Sequence, residues 1–328
     1  MSDLVVTHPL PPALPDADLI RRNRQASKAD ETKRALAKNW RAFQRWCSGL
    51  GVAALPAQPA AVEAYLVYLA DQHPVRDRAG RVVGNGLRPA SIQQALWSIN
   101  AMHRLRGHQA PGAHPQVGTA LAGILRRKAG RRKQQAPLTI EDLRRVRFPA
   151  TLKGLRDKAL LLVGFAGCLR RSELVRLRAE DVEATPYGLR IYLASSKTDQ
   201  AGAGAWIDVA RATVLRDCCP VQALQAWLEA ADIHQGPIFR SLTRGPRPRL
   251  GSSLSAVAVD SLVKWAAAAA GLDARRYGGH SLRAGKATYL VERNKSAALV
   301  ARHGRWKSVD MVLTYYRGEV AAELAGSY

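Results

Sequence analysis

Apolar side chains at Leu36, Trp40, Phe43, Cys47 and Leu50 recur in steps of four and three, the rhythm of one helix face. They predict a helix over about 30–50. Arg34, Lys38, Arg41 and Arg45 follow the same rhythm two positions out of phase, so they occupy the opposite face. All four are positive, and Asp30 and Glu31 stand at the N-terminal end. That face is either simply solvated or turned toward phosphate. Val62, Tyr65, Leu66 and Leu69 predict a second helix over about 60–72. The stretch 77–86, with Gly80, Gly84 and Gly86, reads as a loop or short hairpin. A third helix starts near Pro89, where a first-turn proline is tolerated, and buries Ile92, Leu96 and Ile99. Gln93, Gln94, Trp97, Asn100 and Arg104 fall on its other faces. A helix near 117–128 closes this region.

The pattern then breaks. Arg126, Arg127, Lys128, Arg131, Arg132 and Lys133 put six positive charges into eight residues with no acid among them, and Gln134, Gln135, Ala136 and Pro137 follow. Such a run does not pack into a core, so 129–137 reads as a basic linker. Beyond it, Thr139-Ile140-Glu141-Asp142 is a helix-capping pattern. Ala159 to Phe165 reads as a buried helix that Gly167 terminates. Leu189–Ala194 and Trp206–Val209 read as two strands around a loop containing Gly202 and Gly204. Further helices are expected at 220–231 and 254–270. Val320 and Leu324 make a short apolar stripe on 319–326. The first 27 residues, with Pro9, Pro11, Pro12 and Pro15 and few apolar anchors, read as a mobile arm.

A length of 328 residues suits two domains, and 47% apolar residues suffice to give each a core. No apolar run is long enough for a bilayer, and no signal-peptide pattern opens the chain. Cys47, Cys168, Cys218 and Cys219 lack paired metal spacing, so a reduced, cytoplasmic setting is expected. The charge narrows the partner. Fifty Lys and Arg against twenty-six Asp and Glu leave a net +24, the footprint of a protein that binds a polyanion. No lipidation motif or basic amphipathic anchor seconds a membrane, and nucleic acid is the better reading. The linker would then lie on its phosphate backbone.

The candidate chemistry sits late in the chain. His280 and Arg283, three apart and expected on one helix face, suit a grip on a single anion. Trp306 and then Tyr315-Tyr316 follow, and a tyrosine in the same folded unit supplies an oxygen nucleophile. Upstream stand Arg170, Glu173 and Lys197. No Walker A loop, H-E-x-x-H or paired C-x-x-C is present, so no metal or cofactor is expected.

This ordered set resembles the phage integrase family of tyrosine recombinases, closest in pattern to its Cre type. The family's first box, R-x-x-E-L, corresponds to Arg170-Arg171-Ser172-Glu173-Leu174. Its second, H-x-L-R, corresponds to His280 to Arg283, and its third has a His or Trp nine residues before the tyrosine, as Trp306 stands to Tyr315. The likeness runs from about Lys28 onward. It implies a mainly α fold with a small β-sheet: a two-lobed DNA clamp with an all-helical core-binding domain (28–128) and an α+β catalytic domain (138–328). It implies a site-specific recombinase that cleaves and rejoins double-stranded DNA through a 3′-phosphotyrosine, for integration, excision or inversion, as a homotetramer on two sites. Arg170 and Arg283 would clamp the phosphate, with His280 and Trp306 as further donors. Glu173 would orient the basic groups, Lys197 would protonate the leaving 5′-oxygen, and Tyr315 would attack. Gln94 and Arg34 correspond to DNA contacts of the Cre type, and Arg131, Arg132 and Lys133 join Lys38, Arg41 and Arg45 as backbone contacts. Lys286 stands where the family has small or apolar residues, and Trp replaces the more frequent His at 306. His303 is outside the box and reads as structural or solvent-facing. A type IB topoisomerase, which shares the chemistry, and a non-catalytic DNA-binding protein are the alternatives.

Overall fold

A computed structural model describes residues 30–77, 79–130, 134–194, 204–245 and 247–315. The chain divides after Arg132 into two compact units. In the first, α1 (Asp30–Gly49) buries Trp40, Phe43 and Cys47, while Arg34, Lys38, Arg41 and Arg45 are exposed. The apolar stripe stops one residue short of expectation. The helix ends at Gly49, and Leu50 beyond it is 60% exposed. The segment expected as one helix over 60–72 is instead α2 (Pro59–Val67) followed by a π-helical turn, Tyr68–Gln72. The wider turn still buries Leu69 and Ala70. This unit is not all-helical: β1 (Pro74–Arg76) and β2 (Val82–Asn85) form an antiparallel hairpin. α3 (Pro89–Leu105) and α4 (Pro115–Arg127) complete it.

An aromatic cluster joins these helices. Tyr65 lies 5.0 Å from Phe43 and 5.2 Å from Trp46, centroid to centroid, within the range where tilted rings attract. His103 is buried among them. Its Nε2 accepts from the Ala57 N–H at 2.9 Å, so Nδ1 carries the proton and donates to the Ile99 carbonyl at 2.8 Å. Both ring nitrogens are satisfied, and this histidine is a structural one. Asn39 on α1 donates to Ser98 on α3 at 3.1 Å, fixing the pairing of the helices that carry the exposed cations and Gln94.

The second unit is built around α6 (Leu152–Ala166). Every residue from Ala159 to Phe165 is buried on it, because α8 (Pro220–Ala230) and α10 (Ser281–Val291) cover it from different sides. α5 (Ile140–Arg145) begins with a capping box in which Thr139 and Asp142 satisfy each other's backbone N–H groups. On α10, Gly285 permits a close approach: a β-carbon there would stand 1.9 Å from the Leu138 carbonyl oxygen. That contact seats the helix carrying Arg283 against the start of the unit.

One small sheet was expected, and this unit holds two. β3 (Val182–Thr185), β4 (Gly188–Leu193) and β5 (Ala205–Ala210) form an antiparallel sheet, and β6 (Arg240–Leu242) pairs with β7 (Leu250–Ser253). β4 and β5 pair from Gly188↔Ala210 to Leu193↔Ala205. Lys197 belongs to the connection between them and lies outside the described residues. α7 (Arg171–Leu174), α9 (Ala256–Ala269), α11 (Ala297–Gly304) and α12 (Asp310–Leu313) complete the unit. Among the described residues no helix is long and apolar enough to cross a membrane.

Candidate active site

The first box sits on a tight reversal. α6 ends at Ala166, Cys168 takes a left-handed backbone (φ 51°), and Arg170 becomes the residue that caps α7. Glu173, at the third position of α7, turns back on it. One carboxylate oxygen accepts the Arg170 backbone N–H at 2.9 Å, and the other accepts Arg170 Nη1 at 2.6 Å. Glu173 is 3% exposed, a costly place for a carboxylate unless cations satisfy it. A second guanidinium does so from the opposite side: Arg305 Nη2 lies 2.8 Å from Oε2.

The second box straddles a helix start. α10 begins at Ser281, so His280 occupies the capping position before it, not the helix face expected. Its backbone N–H donates to Gln135 Oε1 at 2.9 Å, and the Gly279 N–H donates to Asp260 Oδ1 at 2.9 Å. These two side chains hold the turn that presents the imidazole. Arg283, in the first turn of α10, is 1% exposed. Its Nη1 donates to the Cys168 carbonyl at 2.9 Å, and its guanidinium carbon lies 4.1 Å from the centre of the Trp306 ring. Its Nη2 is buried with no hydrogen-bond partner among the described residues.

The electrostatics are those of a cationic pocket. Burial, followed by the charges of Arg170 and Arg305, draws Arg283 down to about 10, so it stays cationic at neutral pH. His280 is exposed at the surface, yet desolvation by the protein around its ring and then the charges of Arg283 and Arg170 draw it below the ordinary imidazole value, which favours its neutral form. An unpaired, buried donor on a permanent cation is an anion-binding feature.

The third box follows α11. The Trp306 N–H bonds to the Ala301 carbonyl at 3.0 Å and the Arg305 N–H to the Arg302 carbonyl at 3.1 Å, the two bonds of a Schellman turn. Its left-handed residue is Arg305 (φ 56°, ψ 46°). Gly304, one position earlier, serves another purpose: a β-carbon there would meet Trp306 Cζ3 at 1.6 Å. The indole packs against that glycine, with the Arg283 guanidinium over its ring and Tyr315 centroid to centroid 5.7 Å away, tilted by 60°. Gly304→Ala must displace the ring. Overpacking of this kind costs about 1–3 kcal/mol, so a fall of several degrees in Tm and slower DNA cleavage are expected. An unchanged Tm would contradict the close contact.

Tyr315 follows α12, whose Val312 is buried against Val291 and Val300. Its backbone N–H bonds to the Val312 carbonyl at 2.8 Å. Burial raises the phenol above its ordinary value, while Arg283 pulls it the other way. Tyr316 lies outside the described residues. His303 donates from Nε2 to the Ala166 carbonyl at 2.8 Å, and burial lowers it to about 4. It is a neutral structural group.

Arg170, Glu173, His280, Arg283, Trp306 and Tyr315 are thus brought together, and Lys197 lies outside the described residues. Arg34, Lys38, Arg41, Arg45 and Gln94 are exposed on the first unit, and Arg131, Arg132 and Lys133 lie outside the described residues. Sequence reasoning missed Arg305, Gln135 and Asp260. Only contacts distant in sequence mark them, and no local pattern carries that signal.

A model of the phage integrase family matches residues 138–321, more than half the chain. An integrase/recombinase xerD homolog of Selenomonas ruminantium is 37% identical over 298 residues, spanning 90% of this chain and 84% of that protein. The recombinase Cre of Escherichia phage P1 is 27% identical over 348 residues, covering 97% of this chain and 95% of its own. Among solved structures, the Tn1549 transposon integrase in complex with transposon right end DNA superposes with a TM-score of 0.58 at 15% identity, over 94% of this chain and 96% of that one. A lambda integrase dimer bound to a core site gives 0.53 at 17% identity, over 90% and 93%. At such identities these structures speak for the fold alone. The family match and the 37% identity go further: this chain belongs to the phage integrase family, the tyrosine site-specific recombinases.

Proposed function

We propose that the protein recombines double-stranded DNA at specific sites, with Tyr315 as the nucleophile. The observation that carries this reading is the buried Arg283, its Nη2 unpartnered among the described residues, against Trp306 and beside Tyr315. A scissile phosphate supplies the anion that this donor lacks. Arg170 and Arg283 bind its non-bridging oxygens, and the Trp306 indole N–H and His280 add donors. Fixed donors of this kind stabilise the charge that builds in the transition state. The Tyr315 oxygen attacks phosphorus, and neutral His280 helps manage its proton. The bond to the 5′-oxygen breaks as Lys197 protonates that oxygen. A 3′-phosphotyrosine and a free 5′-hydroxyl result, and a 5′-hydroxyl from a partner strand reverses the step.

The helical region and the catalytic domain act as the two lobes of a clamp on DNA, and four chains assemble on two sites. The relatives lend no support to a topoisomerase or a pure binder. Selection of cleaved sites from a random duplex library, with a nick to trap the covalent complex, tests the reading. Enrichment of one site with protein attached to a 3′ end supports it. Failure to trap any complex would return the non-catalytic alternative, and relaxation of plasmids without site dependence the topoisomerase.

The exposed cations of α1 and the basic linker are assigned to the phosphate backbone, and Gln94 to bases. Replacing Arg34, Lys38, Arg41 and Arg45, or Arg131, Arg132 and Lys133, with Gln is expected to weaken binding to the selected site and to unrelated DNA alike. The log–log salt slope should flatten by about 0.9 for each phosphate that is no longer neutralised. Weaker specific binding alone, at constant slope, would contradict a backbone role.

A further inference from the structure

Four non-glycine residues among those described adopt a left-handed backbone: Cys168, Asp232, Asn294 and Arg305. Asp and Asn tolerate that conformation, because their short polar side chains bond locally. Cys and Arg have no such excuse, and these two meet: Arg305 Nη2 lies 3.4 Å from the Cys168 carbonyl, the same carbonyl that accepts Arg283. A backbone outlier licenses a question about function, and at Arg305 the favourable local bonds, to the His303 and Gly167 carbonyls, are long at 3.4 Å. A Schellman turn prefers glycine at this position. The Nε of Arg305 is buried with no partner among the described residues. Its charge also adds a third guanidinium beside Arg170 and Arg283, and Arg283 already feels that repulsion. Strain, an unmet Nε donor and like-charge crowding are offset by longer bonds of 3.4 Å to the Gly167, Cys168 and His303 carbonyls and, at the short end, by the 2.8 Å pair with Glu173 Oε2.

We propose that Arg305 is a positioning residue for the reaction. It closes the second side of the Glu173 carboxylate, so that Glu173 cannot turn away from Arg170, and Arg170 is held where it meets the phosphate. The left-handed turn makes this possible, because it turns the chain between α11 and Trp306 so that the Arg305 side chain runs back to Glu173. The same turn starts the segment that delivers Trp306. The inference rests on the proposed roles of Arg170 and Tyr315.

The test uses the full chain and a nicked duplex of the site selected from the library, and follows single-turnover formation of the covalent complex. Arg305→Gly suits the backbone but takes one of two cations from the buried Glu173 carboxylate, so Tm is expected to fall, with DNA affinity unchanged, and the rate is therefore measured well below the lowered Tm. The rate of covalent-complex formation is expected to fall roughly 10- to 100-fold, the usual consequence of a misplaced transition-state group. Arg305→Lys keeps the charge without the fork and should recover part of that rate. The double variant Arg305→Gly/Glu173→Gln should be no slower than Glu173→Gln alone, since both changes release Arg170. A parental rate for Arg305→Gly would overturn the proposal. So would a rate that returns on further cooling, or rate defects that multiply in the double variant. A parent chain that forms no covalent complex, like a Tyr315→Phe control, would bring down the Tyr315 reading and this one with it. A parent that reacts while Arg305→Gly keeps pace removes this one only.

Discussion

Tyr315→Phe is expected to bind its site as the parent does and to form no covalent complex at all. The substitution removes one oxygen and keeps the ring, so the edge contact with Trp306 at 5.7 Å and the packing on Val312 survive. Tm should barely move, because that packing rests on the ring and not on the phenol oxygen. Chemistry, by contrast, has no substitute nucleophile at that point. Tyr316→Phe should retain cleavage, because the nine-residue interval from Trp306 ends at Tyr315. A denaturing gel of a nicked duplex reads both variants, and mass spectrometry of the DNA-linked peptide names the residue. A complex formed by Tyr315→Phe, or a link on Tyr316, would displace Tyr315 from the role.

Much of this site was legible because its parts recur as short local patterns. Arg170 to Leu174, His280 to Arg283 and the interval from Trp306 to Tyr315 each survive as strings, whatever folds between them. The long helices were legible for a similar reason: the four-three rhythm of Trp40, Phe43 and Cys47 is a surface property of α1 itself. What was hidden depends on neighbours. Gln135 belongs to a polar run that looks like linker, yet its amide holds the His280 backbone. Arg305 was hidden by Gly304, which offers itself as the helix stop and instead makes room for an indole. His280 left the helix because Gly278 and Gly279 lead into it as a turn held by Asp260. β3 is four residues with only Val182 and Thr185 partly covered, and β7 contains Gly251, too little pattern to announce a strand before its partner is known. The π-turn at Tyr68–Gln72 has the same cause. Its apolar positions fit an ordinary helix, and tertiary packing selects the wider one.

The pocket's charge balance separates the roles of its cations. Arg170 and Arg305 share one carboxylate, whereas Arg283 has, among the described residues, a carbonyl and an aromatic face. Glu173, with its single negative charge, partly compensates the two guanidiniums that flank it and leaves Arg283 the less compensated donor. Arg283→Ala is expected to slow cleavage by about 10²- to 10³-fold, the range for removal of one preorganised donor to a developing charge. Lys197, proposed above as the proton donor, is assigned different work, and the leaving atom distinguishes the two. A departing 5′-alkoxide is a far stronger base than a thiolate, whose conjugate acid has a pKa of roughly 8.5. Only the oxygen needs a proton in the transition state. General-acid help of this kind is typically worth about 10²- to 10⁴-fold, so Lys197→Ala should cleave ordinary DNA slowly. On a substrate whose bridging 5′-oxygen is replaced by sulfur it should recover much of its rate. Arg283→Ala should gain far less from sulfur, because the charge on the non-bridging oxygens builds whichever atom departs. The comparison is made by single-turnover cleavage of matched oxygen and sulfur duplexes by parent, Lys197→Ala and Arg283→Ala. If Lys197→Ala were equally slow on both substrates, Lys197 would be an electrostatic support and the proton donor another group in the pocket.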